Sequence, residues 1–380
     1  MDINPWLAQQ QLVVCVGSGG VGKTTTAAAI ALQGAMSGRK TIVLTIDPAR
    51  RLANSLGLSS IGNEAHKISL EGDSESAGEL WAMMLDARHT WDALIDRLAK
   101  DPEIKQRILS NRIYRYVATS LAGSQEYMAT ERLHDIARSG LYDLIVLDTP
   151  PLKNALDFLE SPGRLIHFFD ERILKWFLSP YRRGRWGRRL MFGPTAIVWR
   201  LLGSIFGREF LEDLAQFFQD FTGLYKGFVQ RHDAVVALFQ DPGTAFVTVC
   251  APNETSLEVA RFFETEFQRR ELGQGGVIIN QLHQCEGESH DARAFLGELV
   301  EESSATPSLQ ASVLARLGMA HRRMRQRALA ERRLCEQIKN TPAGRGFFQI
   351  VARSDQQVHD LKGLAWVANE IFEKSAQNRG

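Results

Sequence analysis

The chain has few cysteines, and their spacing matches no metal or disulfide motif. The four cysteines lie far apart along 380 residues, at Cys15, Cys250, Cys285 and Cys335, and no C-x-x-C pair occurs. This pattern disfavours a zinc site or a disulfide framework and is typical of a reducing compartment. The first ten residues lack a basic segment followed by an apolar one. We therefore expect a cytoplasmic protein rather than a secreted one.

The sequence also lacks an excess of either charge and any long apolar run. Its 45 Lys and Arg residues nearly balance its 44 Asp and Glu residues, giving a formal net charge of +1. Such a balance argues against a general nucleic-acid binder, so no nucleic-acid partner is expected. No uninterrupted apolar stretch approaches the roughly 20 residues that span a bilayer. Hydrophobic residues still make up 44% of the chain, enough to bury a sizeable core.

The most informative segment that is present is a glycine-rich loop, Gly-Ser-Gly-Gly-Val-Gly-Lys-Thr-Thr, at residues 17–25. A short apolar run precedes it and a helix-forming run follows it, which is the setting of a phosphate-binding loop. Glycines let backbone N–H groups turn inward around a polyphosphate, and the helix N-terminus adds positive potential. Lys23 is expected to reach the β- and γ-phosphates, and the Thr24 hydroxyl to ligate Mg²⁺. The predicted nucleotide-binding residues of this loop are Gly19, Gly20, Val21, Gly22, Lys23, Thr24 and Thr25.

Two aspartates follow apolar runs elsewhere in the N-terminal part. Asp148 ends an apolar run and precedes two prolines; in phosphate-loop enzymes such an aspartate holds Mg²⁺, usually through water. Asp47 ends the run after the first predicted helix. Because the carboxyl ends of parallel strands gather at the ligand crevice, Asp47 is a candidate to orient the attacking water. A helix cap explains the Asp47-Pro48 pair equally well by local rules.

Apolar runs alternate with helical stretches at both ends of the chain but not in the middle. This pattern predicts an α/β fold with a mostly parallel sheet buried on both faces, interrupted by a large helical insertion. We place the N-terminal α/β part at residues 1–151, the insertion at 152–241 and the C-terminal α/β part at 242–380, with an internal helical stretch at 287–341. The predicted strands are Leu12–Val16, Thr41–Ile46, Leu80–Leu85, Leu141–Leu147, Ala245–Ala251, Gly276–Ile279 and Phe347–Val351. The predicted helices of the C-terminal part are Glu254–Arg270, Asp291–Gln337 and His359–Lys374.

The glycine loop, the Asp-Pro-Ala-Arg-Arg-Leu run at Asp47–Leu52 and the Asp-Thr-Pro-Pro run at Asp148–Pro151 together resemble one protein family. It contains the arsenite-pump ATPases and the guided-entry ATPases that deliver tail-anchored membrane proteins. Two further stretches, Ala122–Ala129 and Ile278–Leu282, are similar to segments of the same family. The resemblance implies a doubly wound sheet of phosphate-loop type that binds ATP and Mg²⁺ and forms a homodimer face to face across two ATP molecules.

The resemblance also implies residue roles. Lys23 and Asp47 would form the catalytic pair, Asp47 by activating water. Thr24 and Asp148 would support Mg²⁺. Asn280 would contact adenine, and the loop around residues 352–354 would close over the base.

Three features depart from the family pattern. Ser18 stands where the family loop usually carries a lysine that reaches the partner's phosphates, and a hydroxyl cannot supply that charge. Either Arg50 or Arg51 substitutes, or turnover is slow. The C-x-x-C zinc site through which guided-entry members often join their dimer is absent. The chain has one ATPase half and no visible cysteine cluster, so metalloid transport is disfavoured.

The helical insertion leaves two interpretations open. Its apolar and aromatic residues either pack against one another and the sheet, or form a groove for an apolar helix. The basic and aromatic stretch Gly184–Arg208 suits an anionic membrane surface or a client helix, and equally a solvated surface helix. We therefore expect an ATPase whose nucleotide-driven dimer controls a hydrophobic client site, with a membrane-protein client and peripheral membrane contact as candidate partners. The alternative is a partitioning or scaffold switch at a membrane surface with weak hydrolysis.

Overall fold

The computed structural model describes residues 4–46, 51–58, 60–70, 78–120, 124–149, 204, 207–284, 307–354 and 358–373. Asp47, Arg50 and Cys285 lie outside these ranges. So does most of the first half of the insertion, including nearly all of Gly184–Arg208. The two helices nearest the C-terminal end of the predicted insertion are described.

The core of the molecule is one sheet of eight strands in the order β3-β4-β2-β5-β1-β6-β7-β8. Neighbouring strands are parallel throughout, except that β3 and β4 are antiparallel. This arrangement confirms the mostly parallel sheet that the sequence predicts. In chain order the strands are β1 (Leu12–Gly17), β2 (Lys40–Thr45), β3 (His66–Ile68), β4 (Glu79–Met84), β5 (Leu144–Asp148), β6 (Thr244–Cys250), β7 (Gln274–Leu282) and β8 (Phe347–Ala352).

Helices cover both faces of the sheet, as a doubly wound fold requires. In chain order the described α-helices are α1 (Pro5–Ala8), α2 (Lys23–Met36), α3 (Arg51–Ser55), α4 (Ala87–Leu98), α5 (Pro102–Ser110), α6 (Arg112–Ser120), α7 (Ser124–Ser139), α8 (Arg208–Thr222), α9 (Tyr225–Gln240), α10 (Glu254–Arg269), α11 (Pro307–Lys339) and α12 (Leu361–Phe372). None of these combines the length and the apolar character that crossing a bilayer requires.

Strand β1 shows why the sheet carries continuous apolar runs. All six of its residues are buried. Val13 and Cys15 face the layer that contains α2 and α12, whereas Leu12, Val14 and Val16 face the layer of α7, α9 and α10. Successive side chains of a strand point to opposite faces, so a strand covered on both sides has no polar position.

Helix α2 packs closely on the sheet. Its buried face is rich in alanine. At Gly34 an added Cβ would lie 2.6 Å from Leu144 Cδ2 and 2.8 Å from Thr41 Oγ1. Only glycine allows this approach, because real Cβ atoms do not come so near to other heavy atoms. The C-terminal end of α2 is therefore held close to the starts of β2 and β5.

The described helices of the insertion belong to a second, all-helical core. Phe217 and Phe221 of α8 and Phe228 of α9 are buried against Trp91 of α4 and Tyr127 of α7. Ion pairs reinforce the joint: Arg107 Nη2 lies 2.8 Å from Asp220 Oδ1, and the Arg231 guanidinium contacts the carboxylates of Glu131 and Asp135. In this half of the insertion the aromatic side chains pack against one another, as the first of the two interpretations predicts.

Candidate functional site

The loop between β1 and α2 has the backbone conformation of a phosphate cradle. Gly20 and Gly22 have φ values of +78° and +92°, which side chains of L-residues rarely tolerate. At Gly22 a Cβ would also lie 2.2 Å from Asn280 Nδ2. Helix α2 begins at the next residue, so its unpaired N–H groups and its positive dipole end lie at the loop.

Lys23 is the first residue of α2, and its ammonium group returns to the loop. Its Nζ donates a hydrogen bond of 2.8 Å to the backbone oxygen of Ser18, and only 7% of the residue is exposed. A lysine ammonium has three donors. A charged phosphate oxygen is a stronger hydrogen-bond acceptor than a neutral carbonyl oxygen. A bound polyphosphate would therefore accept hydrogen bonds from this ammonium group.

Thr24 and Asp148 form the second half of the site. The Thr24 hydroxyl donates to Asp148 Oδ2 at 2.8 Å, and the Thr45 hydroxyl donates to the same oxygen at 3.0 Å. Asp148 ends β5 and is 1% exposed. Hydroxyl and carboxylate oxygens are the hard ligands that Mg²⁺ prefers, and magnesium usually keeps several waters. These donors fit a magnesium ion bound directly by Thr24 and through water by Asp148.

The end of β5 is tied to β1 beside this pair. Asp148 lies opposite Cys15 in the strand pairing, and the Thr149 hydroxyl donates to the Cys15 backbone oxygen at 2.7 Å. Burial, and then the Asp148 charge, raise the pKa of the Cys15 thiol above its usual range. This cysteine is therefore protonated and packs as a small apolar residue.

A cavity of about 350 Å³ opens in front of these groups. The phosphate loop, helix α3, the end of β5 and the turn before α12 all contribute to its wall. A volume of this size is typical of small-ligand sites. Its lining residues are Gly20, Gly22, Lys23, Thr24, Thr25, Arg51, Asn54, Ser55, Thr149, Val358 and His359.

Asn280 lies at the back of the phosphate loop. Its Nδ2 donates to the Val21 backbone oxygen at 2.9 Å, and its Oδ1 accepts from the Gln281 N–H at 3.0 Å. Nearby, the Arg353 N–H donates to the Leu282 oxygen at 2.9 Å. This bond joins the ends of β7 and β8, so the segment after β8 starts beside Asn280.

Comparison with known proteins assigns this arrangement to a family. The model of the family described as "Anion-transporting ATPase" matches residues 10–297. The chain belongs to that family. Its ATPase GET3 relative from Malassezia globosa is 28% identical over 71% of this chain and 72% of its own length. The ATPase ASNA1 homolog of Cryptosporidium parvum is 25% identical over 70% and 63%, respectively. The Aspergillus terreus ATPase get3 is 26% identical over 70% and 71%.

Membership of the anion-transporting ATPases confirms the resemblance that the loop and the two aspartate runs indicate, and it makes the chain an ATPase. At one edge of the sheet the structure brings Asp148 to Thr24, 124 residues away in sequence, and Thr24 follows Lys23 directly in the chain. Asp47 lies outside the described residues, so its role stays a prediction. The roles of the other site residues are likewise proposals.

Several residues at the site of this anion-transporting ATPase were not predicted from the sequence. Asn54, Ser55 and His359 line the cavity but belong to no motif. Thr45 was detectable in principle, because it is a polar residue at the end of an apolar strand on the same sheet edge as Asp148. The approach of His359 depends on the long-range packing of α12 against α2.

Ser18 and Arg51 allow a test of how this family member replaces the missing lysine. Arg51 lines the cavity from α3, and its positive charge suits a developing phosphoryl charge. If Arg51 fills the role, Arg51→Ala should slow ATP turnover by about tenfold or more, whereas Ser18→Lys should leave it unchanged. If no arginine replaces the lysine, Ser18→Lys should raise the rate. Steady-state phosphate release measures both variants, and a rate that neither substitution changes would remove the case for activation by a second copy.

Proposed function

We propose that this ATPase is Mg²⁺-dependent and that ATP closes two copies over their nucleotides, thereby controlling a hydrophobic helical client site. The position of Lys23 and Thr24 on the wall of one cavity, with Asp148 bonded to Thr24 directly behind it, carries the nucleotide and metal part of the proposal. These groups are a cation, a hydroxyl and a carboxylate. They are what a nucleoside triphosphate with its metal ion requires.

In the proposed mechanism the protein acts by position and charge. The loop backbone and Lys23 hold the phosphates, and Thr24 and Asp148 hold the ion. Bound Mg²⁺ would neutralise charge on the phosphate oxygens. Asp47 would orient the attacking water and accept its proton. Because Thr45 also binds Asp148, the β2 strand that leads to Asp47 is linked to the magnesium side of the site.

A path for coupling to the insertion follows from the packing of α7. This helix leads into β5, whose last residue is Asp148. Its Glu131 and Asp135 bind Arg231 of α9, and its Tyr127 stacks on Phe228 of the same helix. A shift at the end of β5 would therefore be transmitted to the helices of the insertion. Packed cores tend to switch between discrete arrangements instead of deforming gradually.

Adenine selectivity tests the proposed part of Asn280 in the site. The Asn280 amide oxygen can accept a hydrogen bond from the exocyclic amine of adenine. The affinity for ATP should therefore be higher than the affinity for GTP by about tenfold or more. The same amide donates a hydrogen bond to the Val21 carbonyl of the phosphate loop. Asn280→Ala should therefore also weaken the binding of both ATP and GTP. Titration calorimetry with ATP, GTP and tripolyphosphate separates the two contributions. Equal affinity of the unaltered protein for ATP and GTP would count against base reading.

The client site is proposed in residues 158–206 of the insertion, of which residue 204 alone is described. The sequence favours residues 191–206 as a mobile cover and 158–177 as a groove wall. Hydrogen exchange there should depend on an ATP analogue, and an apolar helix should crosslink in one nucleotide state. The α8–α9 core should exchange slowly in every state, because Phe217 and Phe221 are fully buried. Uniform slow exchange in both stretches, with no crosslinks, would leave a purely structural insertion.

A further inference from the structure

Helix α11 has two halves with different surroundings. In the C-terminal half, Ala328, Glu331, Cys335 and Ile338 are buried on one face, which packs on β7 and α10. The Glu331 carboxylate accepts hydrogen bonds of 2.9 Å from the His283 N–H and from Arg327 Nε. Burial of these residues and the Glu331 contacts fix this half to the body. The N-terminal half continues from it as a helix.

The stretch of α11 from Val313 to Leu329 exposes an unusual number of apolar side chains. Of the ten large hydrophobic residues that are exposed in the described part of the chain, five lie on α11. The most exposed of these five residues is Met324, whose exposed fraction is 55%. Val313, Leu317 and Met324 follow one another at spacings of four and seven residues, so they lie along one stripe of the helix. Exposed apolar residues that recur along one side of a helix point to an interaction surface, whereas scattered single ones do not.

The charged side chains of this stretch are all positive. No aspartate or glutamate occurs from Pro307 to Ala330. Within the described ranges, one arginine of this segment, Arg327, pairs with a carboxylate, and its partner is Glu331. For a chain of net charge +1 this is a strong local concentration. The arginines of the segment are Arg316, Arg322, Arg323, Arg325 and Arg327.

We propose that residues 313–327 of α11 dock on an anionic phospholipid surface. An interfacial helix combines an apolar stripe with basic residues, and attraction to anionic headgroups adds to apolar insertion. Nucleic acid would use the arginines but would leave Val313, Leu317 and Met324 without a partner. A second copy of the helix would bring like charges together. The proposal rests on α11 alone and is independent of the proposed ATPase mechanism.

The test is sedimentation of the full-length protein with vesicles of phosphatidylcholine, with and without phosphatidylserine. The protein should sediment only with the anionic vesicles. Each arginine near such a surface contributes about fivefold in affinity, so Arg322→Glu/Arg323→Glu should weaken binding by about 30-fold or more. Leu317→Gln/Met324→Gln should also weaken it, because the apolar contact is lost. The matched control, Arg138→Glu/Arg261→Glu, makes the same charge change at exposed positions of α7 and α10 and should bind as the unaltered protein does.

Three results would overturn the proposal. The first is a failure of the unaltered protein to bind anionic vesicles. The second is equal loss of binding in the control pair, or full binding by Arg322→Glu/Arg323→Glu, which would place the contact elsewhere. The third is unchanged vesicle binding by Leu317→Gln/Met324→Gln together with binding of the unaltered protein to a DNA duplex that is tighter than its binding to anionic vesicles. That result would indicate a nucleic-acid surface. Circular dichroism and ATP turnover equal to those of the unaltered protein verify that each variant is folded.

Discussion

Replacing Lys23 with alanine should weaken ATP binding by about a hundredfold or more. The side chain is buried at the loop, where its ammonium group donates to the Ser18 carbonyl. Its loss removes charge-assisted hydrogen bonds to phosphate, each worth about 1.5–3 kcal/mol, and leaves the loop with less positive charge. Titration calorimetry with Mg²⁺ and ATP measures the change.

Lys40→Ala is the matched control for Lys23→Ala. Lys40 begins β2 at the opposite edge of the sheet, where its backbone N–H donates to Asp143 Oδ2. ATP affinity should be unchanged in this variant. If Lys23→Ala also bound ATP with unaltered affinity, the assignment of the phosphate loop as the nucleotide site would be wrong.

Asp47→Asn should lower the rate of ATP hydrolysis by about a hundredfold or more while ATP affinity stays similar. The amide keeps the volume of the side chain but cannot accept a proton from water. Phosphate release at saturating ATP measures turnover, and calorimetry with the same protein measures binding. This split between turnover and binding is the signature of a group that acts on water and not on the nucleotide.

Asp143→Asn provides the control for Asp47→Asn. Asp143 precedes β5 at the amino edge of the sheet, far from the phosphate loop, so hydrolysis should be unaffected. Normal hydrolysis by Asp47→Asn would return Asp47 to the simpler role of a cap before α3. Asparagine caps a helix about as well as aspartate does, so the stability of the variant should then also be close to that of the unaltered protein.

The sequence predicted the features of the site that are local. The glycine loop, the strand before it and the helix after it form one continuous segment, and the structure confirms all three. The contact of Thr24 with Asp148 spans 124 residues. It was still expected, because carboxyl ends of parallel strands meet at one edge of a sheet.

What the sequence did not predict depends on long-range packing or on weak signals. Strand β3 has three residues, of which His66 and Lys67 are exposed, so it shows no apolar run. The alternation of apolar runs with helical stretches also did not predict the antiparallel pairing of β3 with β4. Periodicity predicts that Phe217 and Phe221 are buried, but not that Trp91 and Tyr127 from the N-terminal part cover them.

Asn280 shows the limit of transferring a role by resemblance. The family pattern predicts that it contacts adenine, and the structure places its amide against the Val21 carbonyl of the phosphate loop. An amide has two donor hydrogens and an acceptor oxygen, so supporting the loop does not prevent base contact. The loop contact was not predictable from spacing, because it joins residues 259 positions apart in the sequence.

A crystal structure of the full-length protein with Mg²⁺ and a non-hydrolysable ATP analogue tests the central claim most directly. The account predicts that the triphosphate lies on the loop at residues 17–25, with Lys23 on its β- and γ-phosphates and the metal ion at Thr24 on the side of Asp148. It also predicts a second copy facing the nucleotide. A triphosphate bound outside the cavity lined by Lys23 and Thr24, or a metal ion remote from Asp148, would contradict it.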